Sequence, residues 1–293
     1  NFRRQRQMCI RDRSQWFRNG EPITTVSIDD RAFHYGDGLF ETVAIRDGEP
    51  RLWRFHVERL ALGCARLSLQ MPDVDELQRE LQAALKEHSP RNGDCVAKII
   101  LSSGSGPRGY GRPPGIPGVI QIGLFDYAPT PRQAYVEGVD TMVCATPLAG
   151  SSAVAGLKTL NRLEQVLGRN ECLASGAFEG LMVDAGRRLI CGTMSNVFIV
   201  SDNSIITPSL DGCGVAGVMR RLLLQTLAER EVAVSVADVS IDDLPGSDEV
   251  FLTNSQFGAL PVRRCGEHEW PVGELTEQCQ RLLAECGVQE CAL

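Results

Sequence analysis

The alternation of apolar and polar residues divides the chain into elements before any single residue is weighed. From Trp16 the text runs WFRNGEPITTVSIDD and then GLFETVAIRDGEPRLW, two strand-rich stretches with Asn19-Gly20 and Asp47-Gly48 as turn signals. A helical period follows: Val57, Leu60, Ala61, Cys64 and Leu67 recur at the spacing of one buried face, and Pro72 closes it. Asp73 with Glu76 forms a capping box that predicts a second helix, with Leu77, Leu81, Ala84 and Leu85 on one side. CVAKIILSS and GVIQIGLFDY read as strands flanking a Gly/Pro-rich loop, SGSGPRGYGRPPGIPG. YAPTPRQAY reads as a linker over 128–137, between a smaller α+β domain at 15–127 and a larger one at 138–293.

The second half opens with the strand VDTMVCAT and a loop of small residues leading to Lys158. A helix beginning LNRLEQVL is predicted immediately after that lysine, carrying Leu163, Val166, Leu167, Asn170 and Ala174 on one face. Strands FEGLMVD, RRLIC, NVFIV and SIITP follow, and Gly214 and Gly217 precede the helical VMRRLLLQTLAER. VAVSVA and EVFLTN then alternate with helices to the end, and no internal repeat is present. The pattern predicts a two-domain α+β protein with a cleft between the domains, a favoured place for a ligand.

Composition narrows the chemistry. Of 30 basic residues only Lys86, Lys98 and Lys158 are lysines, so a reaction needing a side-chain primary amine has three candidates. The arginine excess itself reads as codon bias. A net charge of −7 argues against nucleic acid as the main partner, and no apolar run reaches the ~18 residues of a membrane helix. Residues 1–14 hold five Arg and one Asp without apolar periodicity; they read as a basic extension extraneous to the fold, with an Arg-rich transit peptide as the alternative. The 11 cysteines are scattered without a CxxC pair, which predicts small core hydrophobes of a cytoplasmic protein and no metal site.

The three lysines differ in setting. Lys86 lies near the C-terminus of an amphipathic helix, where a solvated cation meets the helix dipole. Lys98 alternates with Val96 and Ile100 in a strand and reads as half-exposed, with a site-lining role as the other option. Lys158 follows the small-residue loop SSAVAGL. An apolar, Gly/Ala-lined pocket would disfavour its ammonium form and make it a nucleophile or base; a helix-start lysine facing water is the plainer reading.

DRAFHYGDGLFETV, FHVERL, LSSGSGPRGYG, LKTLNRLEQVL, GTMSNVF and GVAGVMRR occur in this order. Together they resemble the 4-amino-4-deoxychorismate lyase family, pyridoxal-phosphate enzymes of the fold-type IV group that also holds branched-chain and D-amino-acid aminotransferases. The resemblance runs from about Trp16 to Arg264. YGDGLFET and GTMSNVF mark the group broadly, while the lysine before LNRLEQV and the SGSGPRGYG loop are specific to the lyases. It implies a two-domain α+β fold with pyridoxal 5'-phosphate in the interdomain cleft, a homodimer, and release of pyruvate and 4-aminobenzoate from aminodeoxychorismate. The alternative is a fold-type IV branched-chain or D-amino-acid aminotransferase.

By the same resemblance, Lys158 is the lysine that forms the Schiff base and then serves as general base. Arg59 grips the cofactor phosphate, although by its helical position it could equally be a solvated residue. Val218 and Met219, after Gly217 at a helix start, offer backbone N–H groups to that phosphate, and Ser255 a hydroxyl. Arg108 meets a substrate carboxylate, with Tyr110 in the same loop; His34 lines the substrate side with Tyr35 and has no chemical step. One position departs from the group. Cys191 stands where a glutamate usually meets the pyridine nitrogen, four residues before Ser195. A neutral thiol there weakens the electron sink, whereas a thiolate paired with pyridinium would not.

Overall fold

The computed structural model describes residues 14–88, 93–113, 115–151 and 153–292. The basic extension therefore lies, apart from Ser14, outside the described residues. The chain divides into two compact units: one runs to Ala128 and includes Lys158–Asn161, and the other holds Pro129–Leu157 and everything from Arg162 onward.

The first unit is built on a six-stranded antiparallel sheet in the order β2-β1-β6-β5-β3-β4. Its strands are β1 (Gln15–Arg18), β2 (Glu21–Ile23), β3 (Gly38–Arg46), β4 (Glu49–Pro50), β5 (Cys95–Ser102) and β6 (Val119–Asp126). Both turn signals hold, because Asn19 and Gly20 (φ 51° and 77°) and Asp47 and Gly48 (φ 51° and 82°) take the left-handed conformations of tight hairpins. The odd positions of β3, namely Leu39, Glu41, Val43 and Ile45, are all buried on one face. Against the sheet pack α2 (Trp53–Leu67), through Leu60 and Cys64, and α3 (Val74–His88), through Leu77, Leu81 and Leu85. The Asp73 carboxylate accepts from Glu76 N at 2.8 Å, half of the expected capping box. A short helix that the pattern missed, α1 (Arg31–Tyr35), starts on an Asp30 cap.

Lys158–Asn161 run extended beside β3, where Phe40 N donates to Lys158 O (2.9 Å) and Leu160 N to Gly38 O (3.0 Å). This corrects the sequence reading, which began a helix there and placed Lys158 in the larger domain. The bonds available at the end of β3 outweigh the helical period of LNRL.

The second unit carries a nine-stranded mixed sheet in the order β12-β11-β10-β13-β14-β7-β8-β9, with β15 on β14. These strands are β7 (Val139–Val143), β8 (Glu179–Val183), β9 (Leu189–Gly192), β10 (Asn196–Ser201), β11 (Ser204–Pro208), β12 (Val234–Ala237), β13 (Glu249–Asn254), β14 (Gly258–Cys265) and β15 (His268–Glu269). Its helices are α4 (Arg132–Glu137), α5 (Leu163–Ser175), α6 (Val218–Glu229) and α7 (Glu274–Glu285). The expected linker is thus partly helical: α4 occupies its second half and packs on β14.

Helix α5 turns Gly168 and Cys172 inward, while Leu163, Val166, Leu167, Asn170 and Ala174 are exposed. A glycine and a cysteine make the contact because Gly168 lets the helix approach the Cys144 thiol and the Met182 methyl closely. Among the described cysteines, all but Cys286 are buried. No described helix is long and apolar enough to cross a membrane.

Candidate active site

Within the first unit, Lys158 is half-buried and its Nζ sits 4.3 Å from the centroid of the Phe40 ring. The strand pairing sets this up, since Phe40 is the residue whose N–H bonds the Lys158 carbonyl. Lys98 reaches the same ring, with Nζ 5.1 Å from its centroid. Phe40 pairs with Ile100 across β3 and β5, and Lys98 lies two residues further along the same face. Burial lowers the pKa of Lys98. Lys98 is half-buried, in keeping with the half-exposed strand position read from the sequence, and the parity it shares with Phe40 carries it to that ring.

Arg59 is nearly buried, with 10% of its side chain exposed. Its Nε donates to Glu41 Oε1 at 2.8 Å and its second terminal nitrogen to Glu41 Oε2. His56, one turn earlier on α2, bonds the same carboxylate through Nδ1 at 2.6 Å. Burial by itself would raise the Glu41 carboxyl, but the charges and hydrogen bonds of Arg59 and His56 outweigh it and hold the pKa at about 2. The solvated alternative for Arg59 is therefore excluded. Neither Glu41 nor His56 was singled out from sequence, although Glu41 falls on the buried parity of an apolar strand.

A second cluster in this unit gathers the other predicted substrate residues. Arg31, 2% exposed, donates to the carbonyls of Gly109 and Tyr110 (2.8 Å each) and pairs with Asp37 at 2.9 Å. The Tyr35 and Tyr110 rings meet edge-on at 5.5 Å, and Tyr35 Oη accepts from Gly109 N at 3.2 Å. Arg108 and Tyr110 are exposed on this anchored loop. His34 is also exposed, with Nε2 donating to the Ile28 carbonyl at 2.6 Å, an arrangement that suits a structural residue.

In the second unit, Cys191 is buried, and burial, followed by the nearby Glu179 charge, pushes its thiol up to about 12. The protein's own groups therefore favour the neutral thiol at Cys191. Glu179, 0% exposed, accepts from Gly180 N (2.9 Å), Thr193 N (3.1 Å), the Thr193 hydroxyl, Met194 N (3.2 Å) and Ser195 Oγ (2.8 Å). Those bonds fix the turn between β9 and β10.

Helix α6 begins at Gly217, which offers no capping side chain, so the N–H groups of Val218 and Met219 stand at an uncapped start. A Cβ on Gly217 would lie 2.1 Å from Asn196 Oδ1, which instead accepts from Gly217 N at 3.1 Å. Ser255 occupies the turn after β13, where Asn254 Oδ1 accepts from the N–H groups of Gln256 (2.8 Å) and Phe257 (2.9 Å). Within the first unit, a half-buried amine and a guanidinium held by a buried carboxylate are groups that suit a phosphate-bearing aldehyde. Among the described residues no group of three or more His, Cys, Asp or Glu side chains is placed to hold a metal.

The family described as amino-transferase class IV matches residues 38–265. The chain belongs to this family. It is 38% identical over 269 residues to an aminodeoxychorismate lyase from Vibrio harveyi, covering 89% of this chain and 97% of that one. Among solved structures it resembles a 4-amino-4-deoxychorismate lyase from Pseudomonas aeruginosa, with TM-score 0.84, 43% identity, and coverage of 92% and 98% of the two chains. A branched-chain amino acid aminotransferase from T.th., solved with pyridoxamine 5'-phosphate, superposes with TM-score 0.82 at 19% identity over 94% of each chain, which bears on the fold alone. The α+β architecture is that of the fold-type IV enzymes.

Proposed function

We propose that this protein is a pyridoxal-phosphate-dependent lyase that converts 4-amino-4-deoxychorismate to 4-aminobenzoate, a folate precursor, and pyruvate. The observation that carries the reading is similarity at 38% and 43% identity, over nearly the whole chain, to two proteins named as this lyase. Class IV aminotransferase relatives are pyridoxal-phosphate enzymes. Lys158, Arg59, Val218, Met219 and Ser255 are the residues that would hold the cofactor here. When bound, pyridoxal phosphate would supply an electron sink for carbanion chemistry.

The chain's own groups account for the remaining work. Arg59, presented by Glu41, holds the phosphate dianion with a charged hydrogen-bond donor. With the cofactor held, the amine of Lys158 would take the proton from substrate C4 as general base. Its Nζ lies 4.3 Å from the centroid of the Phe40 ring, which restricts where the amine can sit. The C3–O bond then breaks, the departing enolpyruvyl group is protonated to pyruvate, and the remaining ring is aromatic. Arg108 binds one substrate carboxylate. Lys98, whose Nζ reaches the same Phe40 ring as that of Lys158, supplies a cation for the other. Cys191, a neutral thiol, supports a ring nitrogen less strongly than a carboxylate does, and aromatisation compensates with driving force that transamination lacks.

Pyruvate and 4-aminobenzoate should form from aminodeoxychorismate with no keto-acid acceptor present. Turnover only on addition of a keto acid would instead establish an aminotransferase. Lys158→Ala should lose both the visible cofactor absorbance and product formation, and a variant retaining both would exclude Lys158. A homodimer is part of the proposal: exposed Leu163 (78%) and Leu167 on α5, and Phe33 (66%) on α1, are apolar surface that a second copy would cover. A reducing, cytoplasmic setting suits a chain whose described cysteines are all free thiols.

A further inference from the structure

His56 is 1% exposed, and its two ring nitrogens have different fates. Nδ1 lies 2.6 Å from Glu41 Oε2. An ionised carboxylate can only accept, so Nδ1 carries the proton and Nε2 of the neutral ring is a lone-pair acceptor. That Nε2 is buried and has no hydrogen-bond partner among the described residues. A buried acceptor facing no donor is unfavourable, and two events relieve it: a donor arrives, or the nitrogen is protonated opposite an acceptor.

The surrounding charges decide between them. Burial is the main influence lowering the pKa of the ring; Glu41 on β3 opposes it, while Arg59 on the same helix and Lys158 from the segment beside β3 add to it. Arg59 and Lys158 together exceed Glu41 by one positive charge, so an imidazolium would worsen an unbalanced cluster. A phosphate dianion at Arg59 reverses the balance and brings acceptor oxygens, not donors. We propose that His56 belongs to the phosphate-binding site and takes up a proton from solvent when the dianion binds, which converts Nε2 from acceptor to donor. This rests on the reading of Arg59 as the phosphate-holding arginine. The site then recognises the charge of the phosphate with two cations, Arg59 and His56, tied to one carboxylate.

Calorimetry on the apoprotein with pyridoxine 5'-phosphate tests this directly, because the probe carries the phosphate but forms no imine with Lys158. At about pH 7.5 a phosphate monoester is already a dianion. Titrations in buffers of different ionisation heat should show wild-type protein taking up roughly half a proton or more per probe bound, and His56→Gln close to none. Nitrogen NMR of the wild-type protein needs no variant: one of its four histidines should pass from a neutral tautomer to imidazolium on binding. Equal uptake by wild type and His56→Gln, or four unchanged histidine rings, would overturn the proposal. Arg59→Gln separates the two levels of the reading. If it abolishes probe binding while wild-type uptake is nil, only the role of His56 fails. If probe binding survives Arg59→Gln, the phosphate is elsewhere and both readings fall.

Discussion

Glu41 and Glu179 are both buried carboxylates on interior strands, one in each unit, yet they are stabilised by opposite means. Glu41 is met by charge: a guanidinium and an imidazole share its two oxygens. Glu179 is met by neutral dipoles, three backbone N–H groups and two hydroxyls. The consequences differ. Backbone donors have fixed geometry, so Glu179 acts as a template that shapes the turn at 193–195. Charged side chains keep their response to other charges, so the Glu41 cluster can hold a second anion. The same residue type thus serves as scaffold in one unit and as electrostatic support in the other.

Removing Glu179 tests the template role and should have the largest effect. Glu179→Ala removes the carboxylate that the Gly180 and Met194 N–H groups and the Thr193 and Ser195 hydroxyls donate to, while Thr193 N keeps the Gly180 carbonyl at 3.0 Å. It should cost more than about 3 kcal/mol of stability in chemical denaturation, because buried donors that lose an acceptor lose their compensation for desolvation. Glu41→Gln keeps the shape but leaves the Arg59 charge without its counterion. A loss of roughly 3 kcal/mol is expected, together with weaker cofactor binding in spectroscopic titration. A Glu41→Gln variant that binds cofactor normally would show that Arg59 needs no such partner.

Acid sharpens the contrast. The Glu41 pKa lies at about 2, below its ordinary value of 4.5, so its contribution is complete above pH 4.5 and is lost as pH falls from there toward 2. Wild-type stability should decline through that window, and the decline should be shallower in Glu41→Gln. The smallest effect is expected for Thr193→Val, which removes one hydroxyl donor from Glu179 and should cost about 1–2 kcal/mol by thermal melt.

Much of this was legible from the residues. Strand and helix periods located the cores of both units, and the family resemblance led to Lys158 and Arg59. The supporting residues were harder to see because their partners are distant in sequence. Arg59 and Glu41 lie 18 residues apart on a helix and a strand, and nothing local to HVERL announces the strand's carboxylate. Glu41 was nonetheless readable, as the one charged residue on the buried parity of β3. Glu179 gave no such hint, since every residue of β8 is buried and parity carries no information. On α5 the apolar period does mark one shared face, but that face is exposed and the helix packs through Gly168 and Cys172, so period alone does not tell surface from core.

The close approach at the start of α6 has a consequence for how sequences of this kind can change. The Asn196 amide fills the space a side chain at 217 would need, and it also donates to the Val215 carbonyl at 2.9 Å. Two positions 21 residues apart are therefore coupled by volume. Alanine at 217 is admissible only where 196 carries something shorter than asparagine, and relatives that vary at one position should vary at the other.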